Sequence, residues 1–265
     1  MVEETVFPRV SVEMHGAIAV LRMCDSARRN AMSLAMGEAF DAAVRQLSAV
    51  ADLRAIVLCG EGEAFSAGGD LNMLRDLRKM QSTEVVRFMR WYYDQFLQLH
   101  RVGVPVIAAV RGVAVGAGLA LAVSCDMVVV DETARLAFNF LRIALHPGMA
   151  STVFVPRRVG HERAARLFYC ADMFSGRDAA TWGLVGEAVL REQVEARAMA
   201  LAAQVAARGP VAVRELQRTM RPSEAELNAG LQREAEAQAL CYQTDDYARG
   251  VEGVASKTSS VFHGK

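Results

Sequence analysis

Apolar and polar residues alternate over Val10-Ser11-Val12-Glu13-Met14 and again over Ala17-Ile18-Ala19-Val20-Leu21, either side of His15-Gly16. That period of two, broken by a turn pair, predicts a hairpin of half-buried strands. From Ser33 the period lengthens to that of a helix, with Met36, Phe40, Val44 and Leu47 on one face and Ser33 placed to cap it. Three apolar runs, 54–59, 104–110 and Met127-Val128-Val129-Val130, predict strands, and Leu136-Ala137-Phe138 a short one. Between them lie a helix that Asp70 would cap and a long amphipathic helix from about Thr83 to His100, begun by Ser82 or Thr83. Strand and helix in alternation, with strands apolar on both faces, predict a largely parallel α/β core.

The pattern changes after about Val189. From there to Tyr247 the chain is rich in Ala, Glu, Gln, Arg and Leu, and Pro210 and Pro222 divide it into helices. These helices carry apolar stripes without a core of their own. They must pack on the preceding core or on a neighbouring copy, which predicts a homo-oligomer. No close repeat or low-complexity tract is visible.

Composition narrows the function classes. With 52% hydrophobic and 23% charged residues in 265, the chain can bury a substantial core. Thirty basic residues balance thirty acidic ones, which argues against nucleic acid as a partner and leaves room for a local basic patch on one phosphorylated ligand. The five cysteines (Cys24, Cys59, Cys125, Cys170, Cys241) are widely spaced and form no CxxC pair. Buried thiols in a reducing compartment, with no metal site, are the simplest reading. The start, Met1-Val2-Glu3-Glu4, is acidic and shows no signal peptide. The longest uncharged run, Gly112 to Cys125, has 14 residues. A spanning helix needs roughly 20, so no membrane insertion and a cytoplasmic setting are expected.

Two glycine-rich turns carry the candidate chemistry. Ala64-Phe65-Ser66-Ala67-Gly68-Gly69-Asp70-Leu71 follows one predicted strand, and Arg111-Gly112-Val113-Ala114-Val115-Gly116-Ala117-Gly118-Leu119 follows another. Each turn, opening into a helix, aims backbone N–H groups at whatever lies above it. Two such turns together suggest donors converging on one oxygen, the arrangement that stabilises an oxyanion.

With these turns in place, the chain resembles the enoyl-CoA hydratase/isomerase (crotonase) superfamily over nearly its whole length. Besides the turns, the resemblance rests on Arg28-Arg29-Asn30-Ala31-Met32-Ser33, on Pro105 to Asp126 and on Pro147 to Gly160. It continues through Ala179 to Val185 and a tail with Lys257 and Phe262. The resemblance implies an α/β fold, a crotonase-like spiral of ββα units with a helical C-terminal trimerisation region. It places the acyl-CoA-binding core at 1–195 and the oligomerisation segment at 196–265, assembled as a trimer or a dimer of trimers. It implies an acyl-CoA thioester as substrate, with coenzyme A entering as part of it and no permanently bound cofactor. Carried over by position, the backbone donors to the thioester carbonyl are Gly69 and Ala117. Ala67, Gly68, Asp70 and Leu71 would line the CoA path, and Arg28 and Lys257 would meet phosphates.

The chain departs from the family pattern where hydration is usually carried out. Ala120 and Phe140 stand at the positions of two glutamates that handle water and its proton, and Gly148 stands where some isomerases carry an aspartate. Two candidates for proton transfer remain. His146 lies in the right loop for a base near neutral pH, or else only ties that loop down. Tyr93 matches a spot where a dehalogenase relative places an active-site histidine, or else packs its helix beside Trp91 and Tyr92. Asp70 and Asp126 read as a helix cap and a structural carboxylate, and Cys125 as an inert thiol. Isomerisation, decarboxylation or thioester hydrolysis would need fewer carboxylates than hydration; the alternative is a non-catalytic acyl-CoA binder. Gly112, Gly116 and Gly118 do not form GxGxxG and no GxSxG occurs, which argues against a dinucleotide oxidoreductase and an ordinary serine hydrolase.

Overall fold

A computed structural model describes residues 3–265; Met1 and Val2, where the acidic start was read for a leader, lie outside the described residues. The first three strands, β1 (Glu3–Phe7), β2 (Val10–His15) and β3 (Ile18–Met23), form an antiparallel meander. β3 then pairs in parallel with β4 (Ala55–Gly60), followed by β6 (Val106–Val110), β8 (Met127–Asp131) and β11 (Glu187–Val189). A second, smaller sheet holds β5 (Ala64–Ser66), β7 (Val113–Val115) and β9 (Arg135–Ala137) in parallel, with β10 (Phe174–Ser175) antiparallel at one edge.

The chain therefore repeats one step. β4, β6 and β8 of the large sheet are followed by β5, β7 and β9 of the small one, and each pair leads towards a helix. Those helices are α2 (Leu71–Leu77), α4 (Ala117–Ser124) and α5 (Ser151–Cys170). This is the spiral of ββα units that the resemblance implies.

The sequence reading places a glycine turn directly after each long strand. In the structure a three-residue strand comes first, too short for a periodic signal. The predicted helix at 83–100 is α3 (Ser82–Leu97), continued by a 3-10 turn to Arg101 and capped by Gln81 with Glu84 rather than by Ser82 or Thr83. Ser33 caps α1 (Leu34–Ser48) by accepting from Met36 N–H, as the pattern predicts.

Alternation explains why the central strands read as continuous apolar runs. Ala19, Leu21, Ile56, Leu58, Ala108 and Val110 face the main core, while Val20, Val57, Ile107 and Val129 face a second layer. That layer is covered by Val194, Ala198 and Ala202 of α7 (Val194–Ala206), so residues 195 and 196 lie inside a helix packed on the large sheet. α6 (Gly176–Thr181) precedes it; α8 (Pro210–Met220), α9 (Glu224–Tyr242) and α10 (Asp245–Ser256) follow. α9 packs along α3, and α10 against α2 and the 139–143 turn. Among the described residues no helix is long and apolar enough to cross a membrane.

Candidate active site

The two glycine turns meet. Gly68 has φ +82°, and a Cβ there would fall 2.7 Å from the Val115 carbonyl oxygen and 3.4 Å from the Ala117 nitrogen. Only glycine fits such an approach without displacing the opposite backbone. A Cβ on Gly118 would likewise lie 2.5 Å from Ser66 Cβ, so the start of α4 rests directly on β5.

Hydrogen bonds fix the first turn from below. Ser66 Oγ donates to Asn30 O (2.8 Å) and accepts from Gly68 N–H (3.1 Å). Ala67 N–H donates to Arg29 O, and Gly68 O accepts from Met32 N–H, each at 2.8 Å. Gly69 N–H is left over. On the second turn, Gly116 N–H donates to Ala137 O at 2.9 Å, and Ala117 opens α4, where a first-turn N–H has no partner within its own helix. Among the described residues neither the Gly69 nor the Ala117 N–H finds an acceptor, and both residues line one cavity of about 510 Å³.

This cavity runs from an exposed rim at Arg28 and Arg29 to a buried apolar end at Met89, Leu145, Met149 and Tyr242. Its inner polar feature is a hydrogen-bonded pair. Tyr93 Oη donates to Gln238 Oε1 (2.8 Å), and Gln238 Nε2 donates to the His146 carbonyl oxygen (2.8 Å). Burial holds the Tyr93 phenol well above its ordinary pKa. Gly148 faces this pair: a Cβ on it would lie 2.7 Å from both Tyr93 Oη and Gln238 Nε2. An aspartate at this position, as the resemblance implies for some isomerases, would have no room, because Tyr93 of α3 and Gln238 of α9 already fill the space.

The structure gathers some predicted residues and separates others. Ala67, Gly68, Gly69, Asp70, Leu71, Tyr93 and Ala117 all line the cavity. Asp70 Oδ1 accepts from Asn72 and Asn-following Met73 N–H groups at 3.0 Å, the cap predicted for α2. Arg28 reaches the rim while its Nε donates to Asp25 (3.0 Å).

Two predicted residues lie outside the cavity lining. His146 is not among the residues lining the cavity. Its Nδ1 lies 2.7 Å from the Pro147 carbonyl oxygen, and burial together with Arg233 lowers its pKa. Its link to the cavity is its backbone oxygen, which accepts from Gln238 of the lining. Lys257 is not among the lining residues either; it ends α10 with φ +57°, three residues past Val254, which does line the cavity. Ala120 is fully buried and outside the lining, whereas Phe140 is among the lining residues. Besides tyrosines, the ionisable side chains lining the cavity among the described residues are Arg28, Arg29 and Asp70.

Sequence reasoning missed Gln238. It sits in an Ala- and Glu-rich helix, 145 residues from Tyr93, and nothing local distinguishes it from a solvated glutamine. Asn139 was missed too: a Cβ on Gly116 would meet its Oδ1 at 3.0 Å, beside the Ala117 donor.

The family profile described as Enoyl-CoA hydratase/isomerase matches residues 13–265. The chain belongs to this family. Among relatives, a Rhodobacter capsulatus protein named as a probable enoyl-CoA hydratase is 32% identical over 259 residues, covering 97% of this chain and 98% of its own. The 2,3-dehydroadipyl-CoA hydratase of Escherichia coli is 29% identical over 252 residues, covering 94% and 96%. Among solved structures, OdaA of Pseudomonas aeruginosa superposes with a TM-score of 0.82 at 27% identity, covering 93% of this chain and 98% of that one. An enoyl-CoA hydratase from Bacillus halodurans gives 0.85 at 20% identity, covering 93% and 100%, and shows the shared fold. As a member of the enoyl-CoA hydratase/isomerase family, the chain is an acyl-CoA enzyme.

Proposed function

We propose that this family member binds an acyl-CoA thioester with its carbonyl oxygen between the Gly69 and Ala117 N–H groups and works through the enolate so stabilised, without two-glutamate hydration. The observation that carries this reading is the contact of Gly68 with the Val115–Ala117 backbone, which brings two unpartnered donors to one cavity. Negative charge that develops on a thioester oxygen there would meet fixed dipoles in a largely apolar site. Alanine in place of the more usual glycine at 117 leaves the backbone donor intact. The rim arginines suit the phosphates of coenzyme A, which arrives with the substrate.

The proton-transfer groups set the limits of the chemistry. Ala120 and Phe140 cannot move a proton, and His146 lies outside the lining. Decarboxylation leaves its electron pair on the thioester and needs no protein base. Isomerisation or thioester hydrolysis would have to route a proton through the Tyr93 hydroxyl or through water. The same shortage of acid–base groups favours a second reading, a binder of acyl-CoA without turnover. Five free cysteines, two of them buried, accord with a reducing, cytoplasmic setting. The exposed apolar side chains of α8, Val211, Leu216 and Met220, accord with a homo-oligomer built through the C-terminal helices.

Turnover of crotonyl-CoA, a β,γ-enoyl-CoA, a malonyl-type CoA and a saturated acyl-CoA separates these readings. Hydration of crotonyl-CoA is expected to stay below about 1 s⁻¹, near the low end of ordinary turnover. Gly69→Pro, which deletes one donor, is expected to lower turnover of the best substrate by about 100-fold. Fast hydration, or full activity in Gly69→Pro, would overturn the proposal. Tight binding with no turnover of any ester would select the second reading.

A further inference from the structure

The hydrogen-bond polarity of the inner cavity carries a statement about the acyl group. A backbone carbonyl can only accept, so the contact with His146 O requires the Gln238 NH₂ on that side and Oε1 on the other. Oε1 can only accept as well, so the single hydroxyl proton of Tyr93 is committed to it at 2.8 Å. What remains on Tyr93 Oη is lone pairs. No donor among the described residues is directed at them, and the residue is buried where Gly148 opens the wall.

We infer that Tyr93, oriented by Gln238, is a specificity-determining hydrogen-bond acceptor, and that the acyl chain recognised here carries a hydroxyl group at the inner end of the cavity. This rests on the acyl-CoA reading above and goes beyond it. A hydroxyl donates to Tyr93 Oη and satisfies a buried lone pair. A methylene leaves it unmet, and a ketone or carboxylate oxygen sets acceptor against acceptor. Gly148 is the third part of the arrangement: any larger residue would displace the hydroxyl and the amide together. Tyr93 is assigned recognition, not proton abstraction, since its own proton is held by Gln238 and burial keeps it there.

The test is calorimetric titration of the full-length protein with four esters: butyryl-CoA, 3-hydroxybutyryl-CoA, 4-hydroxybutyryl-CoA and acetoacetyl-CoA. At least one hydroxy ester is expected to bind about five-fold or more tightly than butyryl-CoA, the gain of one neutral hydrogen bond, with acetoacetyl-CoA weakest. Tyr93→Phe is expected to erase the hydroxyl preference, so that butyryl-CoA and the hydroxy esters bind within about two-fold of one another, because the acceptor oxygen is removed. Gln238→Leu frees the Tyr93 proton to donate, so the preference is expected to move towards acetoacetyl-CoA, a change that loss of packing alone would not produce. Equal affinity for butyryl-CoA and both hydroxy esters, or a hydroxyl preference that survives Tyr93→Phe, would overturn the inference while leaving acyl-CoA binding standing. Failure of all four esters to bind would overturn both.

Discussion

At the residue scale, the positions that matter most are defined by what their neighbours allow. Gly68 and Gly148 are both excluded from carrying a side chain, one by backbone and the other by the Tyr93–Gln238 pair. His100 shows the reverse case, a polar group that nothing among the described residues partners. Its two ring nitrogens are buried without hydrogen bonds, and the ring stacks on Phe154 at 5.4 Å. Burial, aided by Arg221, lowers its pKa to about 3. The unfolded chain therefore takes up this proton first. Stability from neutral His100 is complete above about pH 6.5 and is lost as pH falls from there towards 3, by up to about 1.4 kcal/mol per pH unit. His100→Leu is expected to match the parent protein at pH 7.5 and to exceed it increasingly at pH 6 and 5 in urea unfolding. A variant whose advantage does not grow on acidification would contradict this account.

At the scale of elements, α9 joins the C-terminal segment to the cavity. One of its side chains, Glu234, is buried and caps α5 from outside. It accepts from Ala150 N–H (2.7 Å), Thr152 N–H (2.9 Å) and Thr152 Oγ (2.6 Å). One helical turn further on, Gln238 holds Tyr93. Burial raises the Glu234 pKa to about 7 even though these three donors favour the carboxylate. Because the folded state holds this proton more tightly than the unfolded one, the contribution of Glu234 to stability falls as pH rises from about 4.5 to 7. That is opposite in sign to His100, so the two must be separated by variants. Glu234→Gln sets an amide donor against N–H or hydroxyl donors and is expected to lower stability by about 1–3 kcal/mol at pH 8. The loss should grow towards pH 5, where the protonated parent carboxyl contributes most and the glutamine does not titrate, which denaturant midpoints at the two pH values would show. The elements themselves were mostly legible. The hairpin, α1 with its Ser33 cap, β4, β6 and β8 follow from periodicity, because each is long enough to show one. β5, β7 and β10 were not, since two or three residues carry no period and their pairing is non-local.

At the scale of the molecule, the exposed face of α8 sets the question of assembly. Val211 is 64% exposed, Leu216 59% and Met220 73%, on a helix whose buried side includes Gln217, which donates to Asp126 at 3.1 Å. Arg221, just past α8, grips the same carboxylate through Nε at 2.8 Å, so the helix is fixed on its own chain while its apolar side chains face outward. Light scattering is expected to give three or six times the 28.8 kDa of one chain. The double variant Leu216→Glu/Met220→Glu is expected to move the mass towards one chain. A parent protein of single-chain mass at tens of micromolar would end the oligomer proposal.

The sequence alone determined the α/β class, the family, the two glycine turns and the absence of a carboxylate at Ala120 and Phe140. All of these are local: they lie in runs of neighbouring residues, or in residue types whose chemistry does not depend on their surroundings. Tertiary structure decided which of those residues share a space. Tyr93 acquires a fixed proton direction because Gln238, from a distant helix, is itself fixed by the His146 carbonyl. His146, the more obvious base by residue type, contributes a backbone oxygen, with its ring nitrogen beside the Pro147 carbonyl. Periodicity and composition record which face of an element is buried, but not which distant element covers it, and the polarity of this cavity is set by that covering helix.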